Sequence, residues 1–258
     1  NGVIGGNGNN SNGGGGGGGR ISVRYASAAQ AAGPVPRVVM SAQGGTATVI
    51  QYSGEPGSLY FPDTQVLLQD GNFLTSSGAL TIPGFTSWGV DRLVVSNALV
   101  ALPDDFVLTV TNDLVLSGTS PTTHKLVARG GEINAGSLRL DKNAGLEIYA
   151  DIVSDPSMPG AQVNVTGDMT IGPNAWVYPS SHPTNGGSVK FTMDNLTINA
   201  TGGFNALGRG YQGGTNGLNG FGPGRGYSSS STTDRGGGGG YGAQGMTFNL
   251  AIGGYPYG

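Results

Sequence analysis

From residue 91 the chain repeats one short figure. It reads "DRLVV" (91–95), "NDLVL" (112–116), "GSLRL" (136–140), "GDMTI" (167–171) and "DNLTI" (194–198). Each begins with two polar or turn-prone residues, followed by apolar–x–apolar. Alternation with a period of two is the mark of a strand buried on one face. The leading apolar positions are Leu93, Leu114, Leu138, Met169 and Leu196, separated by 21, 24, 31 and 27 residues. Such imprecise spacing, within roughly 20–50 residues, marks repeat architectures.

Each repeat holds two or three short strands. "GSLRLDKNAGLEIYADI" gives "LRL", a turn over 141–145, then "LEIYADI". "AQVNVTGDMTIGPNAWVYP" gives "VNV", "MTI" and "AWVYP". One short strand cannot bury its inner face alone, but stacked coils bury a continuous column. Upstream, "RISVRY" (20–25) reads as a strand, and 42–61 as two strands broken at "SGEPG". The next stretch turns at Asp70–Gly71. "YASAAQAAG" (25–33) predicts the single short helix, stopped by Gly33–Pro34. The pattern predicts an all-β chain: a parallel β-helix over about residues 40–200, right-handed by the general bias of parallel crossovers.

Glycine changes the picture at both ends. There are 51 glycines in 258 residues, about three times the usual share. Residues 13–19 are all glycine. After residue 202 every third position runs Gly202, Asn205, Gly208, Tyr211, Gly214, Gly217, Gly220, Pro223, Gly226. A triplet pattern points to extended threefold helices of the polyproline II type, whose bare backbones can bond sideways. The interrupted triplet and sparse proline exclude collagen. A Gly/Ser linker is the plain alternative, but Phe204, Leu207, Tyr211, Leu218, Phe221, Tyr227 and Tyr241 stand among the glycines. The expected assembly residues are Gly13, Gly16, Gly19, Gly214, Gly217, Gly220, Tyr211, Tyr227 and Tyr241. Together with Tyr255 and Tyr257, these tyrosines are expected to anchor the glycine bundle, or to stack on sugars or a neighbouring subunit. The chain reads as one elongated domain, 1–258. Within it lie a glycine-rich segment with the first strand (1–24), irregular β coils (25–90), β-helix coils (91–200) and a glycine-rich segment (201–258).

Composition narrows the function. Net charge is −3 and charged residues are only 10%, so no basic stripe exists for nucleic acid. No apolar run approaches the length of a membrane helix. With no cysteine, disulfides and thiolate chemistry are excluded. A cysteine-free, Gly/Asn/Thr-rich, weakly acidic chain fits a bacterial extracellular protein. It begins at Asn1 without methionine, as a piece of something longer would.

Two motifs add a resemblance. "GGGGGGGRISVRY" (13–25) and "GEPGSLYF" (54–61) resemble the glycine-run "RIxxxY" and "PGxxY" pair of very large, repetitive bacterial surface proteins. The later order is similar too: rungs, then "LTINATGGFNALGRGYQGG", then "GGGGGYGAQG". The resemblance implies right-handed β-helix coils alternating with glycine-rich insertions. It also implies that the two termini are the two sides of one insertion, met by another copy. Glycine-rich regions of anaplastic lymphoma kinase-type receptors are similar in composition alone.

Little in the sequence carries chemistry. His124 and His182 sit in polar turn sequence without a ligand partner at metal spacing. Asp104–Asp105 reads as a turn between coils. Asp141, Glu147, Asp151 and Asp155 lie on one coil and are the residues a β-helix polysaccharide lyase or hydrolase, or a structural calcium, would use. No calcium loop, nucleophile elbow or phosphate loop is present. The sequons at Asn9, Asn164, Asn195 and Asn199 are expected by chance in such a composition. Thr109 and Thr111 form a Thr-x-Thr without a match in other coils. Trp88 and Trp176 read as core or flank residues. The expectation is a non-enzymatic structural protein without a cofactor, the repeat unit or subunit of a surface fibre, filament or sheath. Its partners are other copies of itself, joined head to tail, and a surface polysaccharide. The alternative is a monomeric adhesin or carbohydrate-binding β-helix module.

Overall fold

The structure, a computed structural model, describes residues 15–45, 54–69, 72–155, 158–214, 218–228 and 254–255. The turn expected at Asp70–Gly71 lies outside the described residues. The chain packs into two compact units. The first comprises residues 1–148, 162–178 and 190–205, and the second 149–161, 179–189 and 206–258.

The protein is all-β and its strands form parallel sheets. One sheet runs β1 (Ile21–Ser22), β2 (Ser58–Tyr60), β4 (Gly78–Thr81), β7 (Leu99–Asp104), β9 (Lys125–Arg129), β11 (Gly145–Tyr149), β14 (Trp176–Ser180), β17 (Gly203–Phe204). The other runs β3 (Phe73–Leu74), β6 (Leu93–Ser96), β8 (Val107–Ser117), β10 (Glu132–Leu140), β12 (Pro159–Val165), β15 (Ser188–Thr192). On it β5 (Ser87–Val90) pairs with β8, β13 (Asp168–Ile171) with β10, and β16 (Asn195–Ile198) with β13. Consecutive strands therefore fall on different ladders, and each meets its neighbour from the previous pass of the chain. This ordering is β-helix-like.

Register explains the repeat. Leu93 pairs with Leu114, Leu114 with Leu138, Leu138 with Met169, and Met169 with Leu196. The five leading apolar residues of the sequence figure are thus one column. Val95, Leu116, Leu140, Ile171 and Ile198 make a second. Trp88, Leu108, Ile133 and Val163 make a third on the adjoining ladder. β8 and β10 serve two ladders each because they are long: Val107–Val110 of β8 meets β5 and Leu114–Ser117 meets β6. A shift of register between Ala135 and Ser137 marks the bend in β10.

Turn residues sit where the backbone needs them. Asn97, Asn143, Asn174 and Thr201 have φ of 48°, 60°, 55° and 69°. Each stands two positions before a strand of the first sheet. Asp105, with φ 55°, stands two positions before β8, so it belongs to a turn as expected. Asn and Asp tolerate the left-handed region better than other side-chain-bearing residues. Thr201 is the exception, a β-branched residue there. Its hydroxyl oxygen accepts a hydrogen bond from the Asn174 N–H at 3.1 Å, which ties one turn to the next. Replacing Asn143 by Ala should cost about 1–2 kcal/mol, whereas Asn143→Gly should be nearly neutral. Urea melting of the two variants checks this.

The one helix among the described residues, α1 (Ser27–Ala31), has no buried residue, and a polar clasp holds the chain just before it. The Tyr25 hydroxyl donates to the Asp63 carboxylate. Asp63 also accepts from the Gln65 N–H at 3.0 Å and from Gln65 Nε2 at 3.1 Å. Burial pushes the Tyr25 phenol up, reinforced by the hydrogen bond and charge of Asp63. For Asp63, burial acts to raise the pKa, but hydrogen bonds from Ser27, Tyr25 and Gln65 outweigh it and hold the carboxyl below its ordinary value. A depressed folded-state pKa stabilises above the unfolded value and is lost as pH falls through the folded one. The stability lead of the parent protein over Asp63→Asn should therefore be full above about pH 4 and vanish in stronger acid. Thermal melts across pH measure it.

Candidate functional site

In the first unit, three glycine-bearing segments, 15–19, 42–45 and 54–57, meet backbone to backbone. Gly18 N–H donates to Glu55 O at 2.9 Å, Gly45 N–H to Gly16 O at 2.7 Å, Gly54 N–H to Gly45 O at 2.8 Å and Gly57 N–H to Ala42 O at 2.7 Å. The close approaches recur every third residue. A methyl at Gly15 would lie 2.0 Å from Gly45 O, and one at Gly18 would lie 1.9 Å from Ala42 O. One at Gly54 would lie 2.0 Å from Gly16 O, and one at Gly57 would lie 1.8 Å from Gly19 O. Between these positions, Gly17 and Gly19 face open space. Only hydrogen fits at the facing positions, so glycine is required there for space.

The phase of the triplet differs from the sequence choice. Gly13 lies outside the described residues. Gly16 and Gly19 contribute carbonyls, while Gly15 and Gly18 contribute the bare face. A run of seven identical residues has no phase of its own. Only the partner segments set it.

The second unit uses glycine differently. Gly208 and Gly222 have φ of 68° and 83°, so residues 202–226 do not form one unbroken threefold helix of negative φ. The chain reverses instead. A methyl at Gly214 would lie 2.1 Å from Leu218 O, the Gly220 N–H donates to Gly226 O at 3.0 Å and the Phe221 N–H to Gln212 O at 3.0 Å. Tyr211 lies between Gly186 and Gly222. A methyl would fall 2.1 Å from its hydroxyl oxygen at the first and 2.4 Å from its ring at the second. The Arg225 guanidinium stands 5.6 Å from the Tyr227 ring centre, and Tyr255 is exposed. Gly217, Tyr241 and Tyr257 lie outside the described residues.

The residues considered for chemistry are spread out. Asp141 pairs with Arg139 Nε at 3.1 Å, and buried Glu147 pairs with Lys125. Asp151 accepts from the Ile152 N–H at 2.7 Å. Asp155 is not gathered with them into a ligand set. Among the described residues no three His, Asp or Glu side chains come together. His124 Nδ1 accepts from the Thr119 N–H at 3.1 Å, and burial pushes its pKa down. His182 Nδ1 accepts from the Asn185 N–H at 3.2 Å. Both rings brace turns. Asn164 donates to Asn134 Oδ1 at 3.0 Å, Asn195 to Asp168 at 2.8 Å, and Asn199 to Ile171 O at 3.1 Å; Asn9 is not described. Trp88 is buried and Trp176 half-buried. Thr109 pairs with Gly89 and Asn134, so no threonine row forms beside it, and Thr111 is exposed.

The last rung among the described residues is exposed on its apolar face. Met169 and Ile171 are 0% exposed, whereas Leu196 and Ile198, the next residues of the same columns, are 45% and 46% exposed. Among the described residues, β15, β16 and β17 each pair with one strand only. "DNLTI" carries the same figure as its predecessors, so the sequence holds no sign that it is the last among the described residues. No known protein family, curated protein or solved structure matches this chain.

Gly17 and Gly18 give a direct test of the glycine contact. Gly18→Ala should destabilise by about 1–3 kcal/mol through overpacking. Gly17→Ala should be neutral or gain about 0.4–1 kcal/mol from a stiffer unfolded chain. Differential scanning calorimetry of the pair reads the difference.

Proposed function

We propose that this chain is a structural module of an extracellular bacterial fibre, sheath or giant surface protein, built to join further copies end to end. In this reading the parallel sheets form a right-handed β-helix, and residues 15–19, 42–45 and 54–57 form a small polyglycine bundle beside it. Its partners are other copies of itself, as separate subunits or tandem units. It needs no cofactor and performs no reaction.

One observation carries the reading: among the described residues the inner columns end on half-exposed Leu196 and Ile198 rather than on a polar rung. Soluble stacks need a polar end, and an open strand edge invites another chain. A contact between the end of one stack and the start of the next is heterologous and does not close, which yields a filament. The exposed apolar side chains also fit the resemblance to repetitive surface proteins, where coils continue across glycine-rich insertions.

Negative-stain microscopy of purified protein tests this reading, with filaments as the expected result. The double variant Leu196→Glu/Ile198→Glu should leave the fold intact, because both sites are half-exposed, and abolish the filaments. Short monodisperse particles from the parent protein at all concentrations would refute end-to-end assembly.

A further inference from the structure

The first sheet has two free edges that match. Among the described residues β1 pairs only with β2, and β17 only with β14, at opposite ends of the eight-stranded order. Strand spacings of about 4.8 Å put the two edges roughly 34 Å apart, so they cannot meet within one molecule. In a parallel ladder, residues of one parity direct their N–H and C=O groups to one neighbour and those of the other parity to the opposite neighbour. The Val23 N–H donates to Tyr60 O at 2.9 Å. The odd residues of β1 therefore face β2, and the even ones, Arg20 and Ser22, face outward. The Gly203 N–H donates to Ala175 O at 3.1 Å and the Asn205 N–H to Val177 O at 2.8 Å. The backbone groups of Phe204 therefore point away from β14.

Size matches as well as hydrogen bonding. One inner column of this sheet runs through Gly78, Val100 and Leu126. The Gly145 N–H donates to His124 O at 3.1 Å and the Trp176 N–H to Ala144 O at 2.9 Å. These bonds set Leu146 beside Leu126 and Val177 beside Leu146, and Val177 pairs with Phe204. In the other direction, the pairs Ser58–Ala79 and Ile21–Leu59 set Gly57 beside Gly78 and Gly19 beside Gly57. Val100, Leu126, Leu146 and Val177 are 0% exposed, but Phe204, at the end, is 37% exposed. Its ring meets that of Phe191 edge-on, with centroids 5.2 Å apart. An aromatic pair thus joins exposed Leu196 and Ile198 on the last rung. Gly19, at the start, is exposed, and a methyl there would meet nothing within 4 Å. The column begins at a bare position and ends on a half-exposed ring.

We infer that β17 of one copy pairs in parallel with the chain entering β1 of a second copy, with Phe204 opposite Gly19. The Phe204 N–H then donates to Gly18 O of the second copy, and Phe204 O accepts from the Arg20 N–H there. The eight-stranded sheet of one copy continues into that of the next, and the same column continues with it. The Phe204 ring fills the space over Gly19, where a side chain would hold the edges apart. All strands keep one direction across the junction, so the contact is heterologous and repeats. Charge favours it over a meeting of two like ends. Residues 15–24 carry exposed Arg20 and Arg24 and no carboxylate, so two starts repel. Among residues 162–178 and 190–205, exposed Asp168 and Asp194 stand against Lys190. Strand addition of this kind draws affinity from backbone hydrogen bonds and specificity from alternate side chains. This contact rests on the end-to-end reading above.

The chain has no cysteine, so single cysteines report the contact. Full-length Gly19→Cys protein is mixed with full-length Phe204→Cys protein and oxidised. Residues opposite each other on neighbouring strands lie within disulfide reach. The expected result is a 19–204 disulfide between copies, several-fold more abundant than the 17–204 product with Gly17→Cys in its place. Gly19→Phe, at a position with open space, should melt like the parent protein yet lose its filaments. Gly19→Phe/Phe204→Ala should regain them. Filaments that persist in Gly19→Phe, without the 19–204 product, would overturn this contact and leave end-to-end assembly standing. A 19–204 bond within single molecules of the double-cysteine variant would overturn it as well. Absence of both parent filaments and product would refute both proposals.

Discussion

Register between successive passes of the chain is the constraint on which the first unit depends. A strand of four or five residues has too small an inner face to hold itself in place. It is fixed by the equivalent strand beside it, and the column Leu93, Leu114, Leu138, Met169 shows how closely the match is kept. A slip of one residue would turn every apolar side chain of the strand to the wrong face. The turns therefore need a defined geometry. The left-handed residues Asn97, Asn143 and Asn174 supply it, each two positions before the next strand.

Glycine solves a different problem. Where 15–19, 42–45 and 54–57 meet, the contact is between backbones, and hydrogen atoms replace the side chains that would hold them apart. The arrangement is not self-supporting. Ordering a residue costs about 1–2 kcal/mol of backbone entropy, while each hydrogen bond returns about 0.5–1.5 kcal/mol net. The segments are held because their flanks are fixed. Residues 15–19 run into β1 and residues 54–57 into β2, and these two strands pair through Ile21–Leu59 and Ser22–Tyr60.

Much of the stack is legible in the sequence because it is written in side chains. Alternation gives the strands, and the aligned figure at Leu93, Leu114, Leu138, Met169 and Leu196 is a true column. The helix at 27–31 and the turn at Asp105 are equally readable, since they arise from local propensity. Three features are not local. The phase of the glycine run is set by segments more than twenty residues away. The expected threefold run through 202–226 is broken at Gly208 and Gly222, because glycine accepts either sign of φ and composition does not choose between them. The exposure of Leu196 depends on whether a further strand packs over it, and "DNLTI" reads the same in either case.

The bare glycine face also changes how the molecule meets degradative enzymes. Proteases that choose a cleavage site by gripping a side chain find none along 15–19. To cut there they must also displace neighbouring backbone that already holds the amides at 18, 45, 54 and 57. Residues that in a loose tether would be the first to be nicked are thus concealed by having nothing to grasp.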